Sequence, residues 1–316
     1  MRSRNEEKRQ LGAWLLAGLS APLAQFAGGM SWQTVALSVS ICLPVCWMVS
    51  RVTVVTVKWI NIAELVWLVC VLSVLGRWMS ESWPSGNTFP AVPLTLLALG
   101  AVSAARGTEH AARGGSVVFW LTALLYSVVA AAGLGKVEWE ELAEFNGRVD
   151  FRLGVILLLP AVTVFLQRGK KGLPLGSVMG AGAFAVLVTV LVTGTLSLRI
   201  AQNAEKPLHE WVAGLSLAGT LQRFEALASV ALTMGWFALV SYALCIAGML
   251  TEQIKEGCYG KVLCGVAATA GIIMLVKVAF SSEMILIGSV LLWIIVPLAL
   301  SVIAKNKKFK IHENNA

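Results

Sequence analysis

Pro22 and Pro160 each fall in the middle of an apolar run, where proline costs a helix one backbone donor. Pro22 lies in Gly18-Leu19-Ser20-Ala21-Pro22-Leu23, and Pro160 lies in Leu157-Leu158-Leu159-Pro160-Ala161-Val162-Thr163. Proline also clashes with the preceding turn, and glycine or serine nearby tolerates local unwinding. Backbone N–H groups freed at such a break, with a half-helix dipole behind them, favour an anionic group such as an amino acid carboxylate. Gly18, Ser20, Ala21, Pro22, Pro160 and Thr163 are therefore the candidate ligand-binding residues. A packed proline kink is the competing reading at both places.

Few ionisable groups stand inside the apolar runs. Glu64, in Asn61-Ile62-Ala63-Glu64-Leu65, is a candidate for conduction or gating, facing a vestibule or held neutral and hydrogen-bonded; structural pairing is the alternative. Arg223 and Glu225, in Leu221-Gln222-Arg223-Phe224-Glu225-Ala226-Leu227, are two residues apart and point in different directions on a helix. Each is expected to meet a group on another helix, on segment 206–211 or on a partner subunit. That makes them candidates for gating or assembly.

Catalytic chemistry finds little to work with. The three histidines, His110, His209 and His312, fall in loops or the tail, and Asp150 is the lone aspartate. No H-E-x-x-H, G-x-S-x-G or Walker motif occurs, so no enzyme, catalytic residue or cofactor is expected. Of six cysteines, Cys42, Cys46, Cys70, Cys245 and Cys264 fall in apolar runs and Cys258 in a loop, without CxxC or a Cys/His cluster. No disulfide framework or metal site is expected from that pattern.

The elements that must position these residues are set by long charge-free windows. Between Arg9 and Arg51 the chain runs 41 residues without a formal charge, and further uncharged windows cover 82–105, 114–135, 178–198, 226–251 and 284–304. About 20 apolar residues span a bilayer. The composition is 57% hydrophobic and only 13% charged, where a soluble domain carries about 25% charge. The reading is an all-α, polytopic membrane protein, in contact with the lipid bilayer throughout. Ten spans are expected, at 11–29, 32–50, 60–79, 91–106, 116–135, 152–167, 178–198, 223–249, 262–280 and 285–303. They form one transmembrane domain, 1–303, followed by a tail over 304–316.

Placing the spans divides the 25 lysines and arginines into seventeen on one set of loops and eight on the other. Positive residues are retained in the cytoplasm, which puts both termini there. The net charge of +8 is thereby explained without a nucleic-acid partner. The basic start from Arg2 to Arg9 leads into an apolar run without a convincing cleavage site, so no signal peptide is expected. The external loops are short. Segment 136–150 is acidic, and segment 199–222 should fold back onto the protein with Pro207 opening a short helix.

Spans one and six, which carry the two prolines, head two five-helix halves, about 11–135 and 152–303. An inverted 5+5 repeat of the LeuT type places its two discontinuous helices there. No internal sequence repeat is detectable.

Three motifs carry a family likeness. The run from Gln222 through Glu225, followed by an apolar helix through Trp236 and Tyr242 to Gln253, resembles the R-x-E segment of the B subunit of spore germinant receptors. That family belongs to the amino acid/polyamine/organocation transporter superfamily. Ala104-Ala105-Arg106-Gly107-Thr108-Glu109-His110-Ala111-Ala112-Arg113 is similar to its short R-G-x-E-x-x-A-R connection between spans four and five. The stretch from Val192-Thr193-Gly194 through Ala201-Gln202 to Pro207 is similar to the end of its span seven. The resemblance implies a membrane subunit of the cell or spore inner membrane that recognises a small nutrient such as an amino acid. It would act beside an A-type membrane subunit and a C-type lipoprotein, with signalling as its output. A secondary amino acid transporter of the same fold is the main rival, and a scaffold subunit without a ligand is a third reading.

Overall fold

A computed structural model describes residues 4–51, 58–82, 91–145, 147–166, 175–215, 224–276 and 280–303. Among them every regular element is helical. The first five helices are α1 (Arg4–Ala27), α2 (Trp32–Ser50), α3 (Lys58–Ser82), α4 (Ala91–Ala105) and α5 (Thr108–Leu134). A 3₁₀ turn over Trp139–Ala143 leads to α6 (Phe151–Leu158), which tightens into a 3₁₀ helix over Leu159–Leu166. α7 (Leu175–Leu196) precedes two short helices, α8 (Leu198–Asn203) and α9 (Pro207–Ala213). α10 (Phe224–Ile254), α11 (Tyr259–Leu275) and α12 (Ser282–Val290) follow, and α12 continues through a π-helical turn at Leu291–Ile295. The chain is an all-helical, polytopic membrane protein. Among the described residues six helices are long and apolar enough to cross a bilayer, and Ala91–Ala105, Phe151–Thr163 and Tyr259–Leu275 are shorter apolar helices.

Local sequence explains several boundaries. Asp150 caps α6 by accepting from the Arg152 N–H at 2.9 Å, and Ser281 caps α12 by accepting from Met284 N–H at 3.2 Å, each satisfying a donor left open in a first helical turn. Pro207 stands at the first turn of α9, where its missing N–H costs nothing. Gly107 joins α4 to α5 at φ 95° and ψ 157°, a region closed to side chains with a Cβ.

α1 corrects the expected opening at residues 18–22. The helix runs unbroken from Arg4 to Ala27 with Pro22 inside it. Ser20 turns its hydroxyl back onto the Ala17 carbonyl at 2.7 Å. The physical cause is α10. A Cβ on Gly18 would lie 2.9 Å from the Leu239 Cα, and one on Gly235 would lie 2.6 Å from the Ala21 Cβ. A glycine on each helix, Gly18 against Leu239 and Gly235 against Ala21, brings the backbones together, and that packing holds the helix shut around its missing bond. At Pro160 the chain does change, from α to 3₁₀ geometry at Leu159. This re-pairs the carbonyls that proline cannot serve at i−4 spacing.

α1 is the central helix, packed against α10, α5, α7 and α6. α10 is the second, packed also against α3, α4, α5 and α11, while α2 lies on α6 and α7, and α12 on α6. Trp59 and Trp120 are 77% and 71% exposed, with Leu37, Ile41 and Ile287 also outward, as a lipid-facing surface requires.

Candidate functional site

The Ala27 end of α1, the Ser82 end of α3 and the Phe151 end of α6 line a vestibule with two lobes of about 440 and 430 Å³ that share Glu81, Arg148, Asp150 and Arg152. Residues from four separate loops contribute, including Phe280 in one lobe and Lys206 with His209 in the other. All four loops were assigned to one membrane side by the charge count. Three further contacts gather loops of the opposite set: Asn61 Nδ2 donates to Gln253 Oε1 at 3.0 Å, the Tyr259 hydroxyl to the Ala104 carbonyl at 3.1 Å, and the Gly257 and Tyr259 N–H groups to Glu252.

Arg152 is the hub of the vestibule. Its guanidinium meets Asp150 at 2.7 Å and Glu81 at 3.8 Å, and its Nε also donates to Asp150. The same group lies 4.6 Å from the ring centroid of Phe26. Phe26 in turn sits edge-on to Trp78 at 5.6 Å and to Trp236 at 6.4 Å. Charge of both signs thus rests on an aromatic layer that closes the top of the α1–α10 pair. A zwitterion, with one carboxylate and one ammonium, fits such a set, since it can exchange with both members of an existing ion pair.

In that layer the Trp236 ring N–H, and elsewhere in the interior the hydroxyls of Tyr126, Ser241 and Tyr242, have no hydrogen-bond partner among the described residues. Tyr126 faces Ser20 from α5. Buried polar groups of this kind are costly unless something satisfies them. Sequence reasoning missed them because each is an ordinary residue of an apolar helix, and nothing local marks it as orphaned.

The expected ligand residues divide. Gly18, Ser20, Ala21 and Pro22 lie on α1, with Gly18 and Ala21 committed to the crossing with α10. Pro160 and Thr163 lie on the 3₁₀ helix, whose neighbours include α2, α10 and the π turn, and Thr163 donates to the Pro160 carbonyl at 2.8 Å. Glu64 is wholly buried. Glu225 is exposed in the first turn of α10, and Arg223 falls outside the described residues. The loop motif acquires a structural account: Gly107 supplies the positive φ, Ala111 and Ala112 are buried, and Arg113 meets Glu109 at 3.8 Å.

No protein-family model matches this chain, and none of the curated proteins matches it.

Proposed function

We propose that this chain is the nutrient-recognising membrane subunit of a spore germinant receptor, taking a small zwitterion such as an amino acid. Its partners on this reading are an A-type membrane subunit and a C-type lipoprotein, and its termini are cytoplasmic. The family motifs around Gly107, Gly194 and Glu225 support it. The observation that carries it is a correspondence between helix pairs. Taking α10, α11 and α12 as spans eight, nine and ten, a shift of five spans turns the pair α1–α7 into α6–α2. The same shift turns α1–α5 into α6–α12, α10–α4 into α3–α11, and α10–α11 into α3–α4; both members of every set are packed pairs. α1–α6, α2–α7 and α3–α10 map onto themselves and are packed too. These sets support a ten-span 5+5 inverted repeat, in which a ligand sits between the halves, while α1–α10 and α5–α10 lack comparably packed counterparts in α3–α6 and α3–α12.

A second reading, a secondary amino acid transporter, is favoured by the same vestibule and differs only in output. Reconstituted protein should bind a labelled amino acid, with Ser20→Ala and Tyr126→Phe each weakening binding by about tenfold, or about 1.4 kcal/mol. Accumulation inside proteoliposomes under an ion gradient identifies a transporter; binding without accumulation, together with loss of germination in spores of the same variants, identifies the receptor. Failure to bind any of the twenty amino acids overturns both and leaves the scaffold reading.

A further inference from the structure

Glu64 carries a signal that ligand recognition does not use. It lies six residues into α3 from the exposed Lys58, about 9 Å along the axis, and its side chain is wholly buried. Neither carboxylate oxygen has a hydrogen-bond partner among the described residues. Three residues before it, Asn61 is 2% exposed, donates to Gln253 on α10, and leaves its own Oδ1 without a partner. Three residues after it, the Trp67 ring N–H reaches the buried Ser289 hydroxyl on α12 at 3.3 Å. Across the same seam stands Trp293, wholly buried, its ring N–H toward Glu64 but short of a formed hydrogen bond.

Trp293 is the middle residue of the π turn Leu291–Ile295. Single π turns interrupt α-helices mostly at functional sites, because one extra residue in a turn re-aims a side chain at the cost of hydrogen-bond geometry. Here the residue at its centre is the one that faces the orphan carboxyl.

The surrounding elements offer no described cation to neutralise it. On α3 the charged groups are Lys58, exposed at one end, and Arg77 and Glu81 at the other. α4 has none. α10 has Glu225 at its far end and Glu252, whose carboxylate is taken by the Gly257 and Tyr259 N–H groups. α11 has the exposed Lys261, and α12 has Glu283 at its far end. An ionised carboxylate without a partner is strongly disfavoured inside a bilayer, and such groups mark proton relays and ion pathways. A hard cation such as Ca²⁺ takes six to eight oxygens. The unpartnered oxygens here are the two of Glu64 and Asn61 Oδ1, with a ring N–H opposite.

We infer that Glu64 is a proton-binding site, formed by its carboxyl between Asn61 and the Trp293-bearing π turn, that exchanges a proton with water at the Lys58 end of α3. Uptake takes a proton from hydronium, breaking one of its O–H bonds and forming one on the carboxylate, and release hands that proton back to water; no covalent bond of the chain besides the carboxyl O–H changes. In the acid form the contact of α3 with α12, made by Trp67 on Ser289, closes beside a neutral group. In the ionised form the Trp293 and Asn61 donors are the groups able to turn onto it, so proton occupancy biases the α3–α12 seam. The site is separated from the vestibule by the length of α3, and the inference stands whether or not the protein binds a nutrient.

The test is infrared spectroscopy of the full chain in lipid nanodiscs across a pH series, read at the carbonyl stretch of a protonated carboxylic acid. Wild type minus Glu64→Gln should isolate one acid band that follows pH, retained but shifted in Glu64→Asp and shifted again in Trp293→Phe. Superimposable spectra for wild type and Glu64→Gln overturn the proposal. Where Glu64→Gln does not yield a monodisperse protein, Glu64→Asp and Trp293→Phe are compared with wild type, and absence of any band shift in both overturns it equally.

Discussion

The guanidinium of Arg152 lies 4.6 Å from the ring centroid of Phe26, so the first charged residue of α6 covers the last aromatic residue of α1. Asp150 holds the other face of that arrangement at 2.7 Å. An arginine can do both at once, since its planar group stacks on a ring while forking onto a carboxylate. The Ala27 end of α1 and the Phe151 end of α6 are thereby joined over the aromatic layer of Phe26, Trp78 and Trp236.

Removing that cover should open the layer. In a background without native cysteines, Trp78→Cys is buried and should react slowly with a polar maleimide. Adding Arg152→Ala should raise its labelling rate about tenfold, equivalent to about 1.4 kcal/mol. That lies just below the range of about 1.5–3 kcal/mol for hydrogen bonds to charged groups, as suits side chains 35% and 20% exposed. Arg152→Lys should restore only part of the protection, and Arg199→Ala, which breaks an exposed pair with Glu144, should change nothing. Equal rates in Arg152→Ala and the parent would show that the stack does not close the vestibule.

The α1–α10 crossing should be intolerant of one methyl group. Gly18→Ala places a Cβ 2.9 Å from the Leu239 backbone, which cannot rotate away. Overpacking of this kind costs about 1–3 kcal/mol. Gly180→Ala, inside α7, meets only ordinary contact with Leu16 at 3.5 Å and should not destabilise, gaining up to about 0.5–1 kcal/mol through helix propensity. Thermal unfolding midpoints of the two variants in detergent make the comparison.

Gly107 should matter for its backbone alone. Nothing lies within 4 Å of a Cβ built there, so the cost of Gly107→Ala is the strain of φ 95°, about 1–3 kcal/mol. Gly114, seven residues on and inside α5, has equally open surroundings, and alanine there should gain about 0.5–1 kcal/mol through helix propensity. Opposite signs for two glycine-to-alanine changes on one element are the expected outcome, read from unfolding midpoints.

Glu225 separates assembly from folding. Its exposure at the start of α10 means that Glu225→Ala should leave the stability of the isolated protein unchanged. If the R-x-E segment meets a partner subunit, the same variant should lower the abundance of the receptor complex on membrane blots, while Glu140→Ala should not. Unchanged complex abundance would reduce the segment to a solvated helix end.

Topology can be checked at two described positions. Glu140→Cys should label from outside intact cells, and Lys255→Cys only after permeabilisation. The reverse pattern would invert the charge-based assignment.

The sequence by itself determined the solvent. Long windows without charge are a local property, and a bilayer selects them whatever their tertiary neighbours. The start of α9 was legible for the same reason, since Pro207 acts through its own φ angle and missing donor. Three features were decided only by tertiary structure. α1 stays helical through Pro22 because Gly235 and Ala238, more than 200 residues away, let α10 press against it; the Trp14 ring N–H donating to the Ala238 carbonyl at 3.0 Å records the same long-range fit. Arg152 was invisible as a hub because its partners, Phe26 and Glu81, come from two other helices. Glu64 could be read as an intramembrane acid, but its complete burial opposite a π turn depends on how α12 packs on α3. Local composition fixes which medium a helix lies in; which polar atoms are left without partners is set by the contacts between helices, and those are not local.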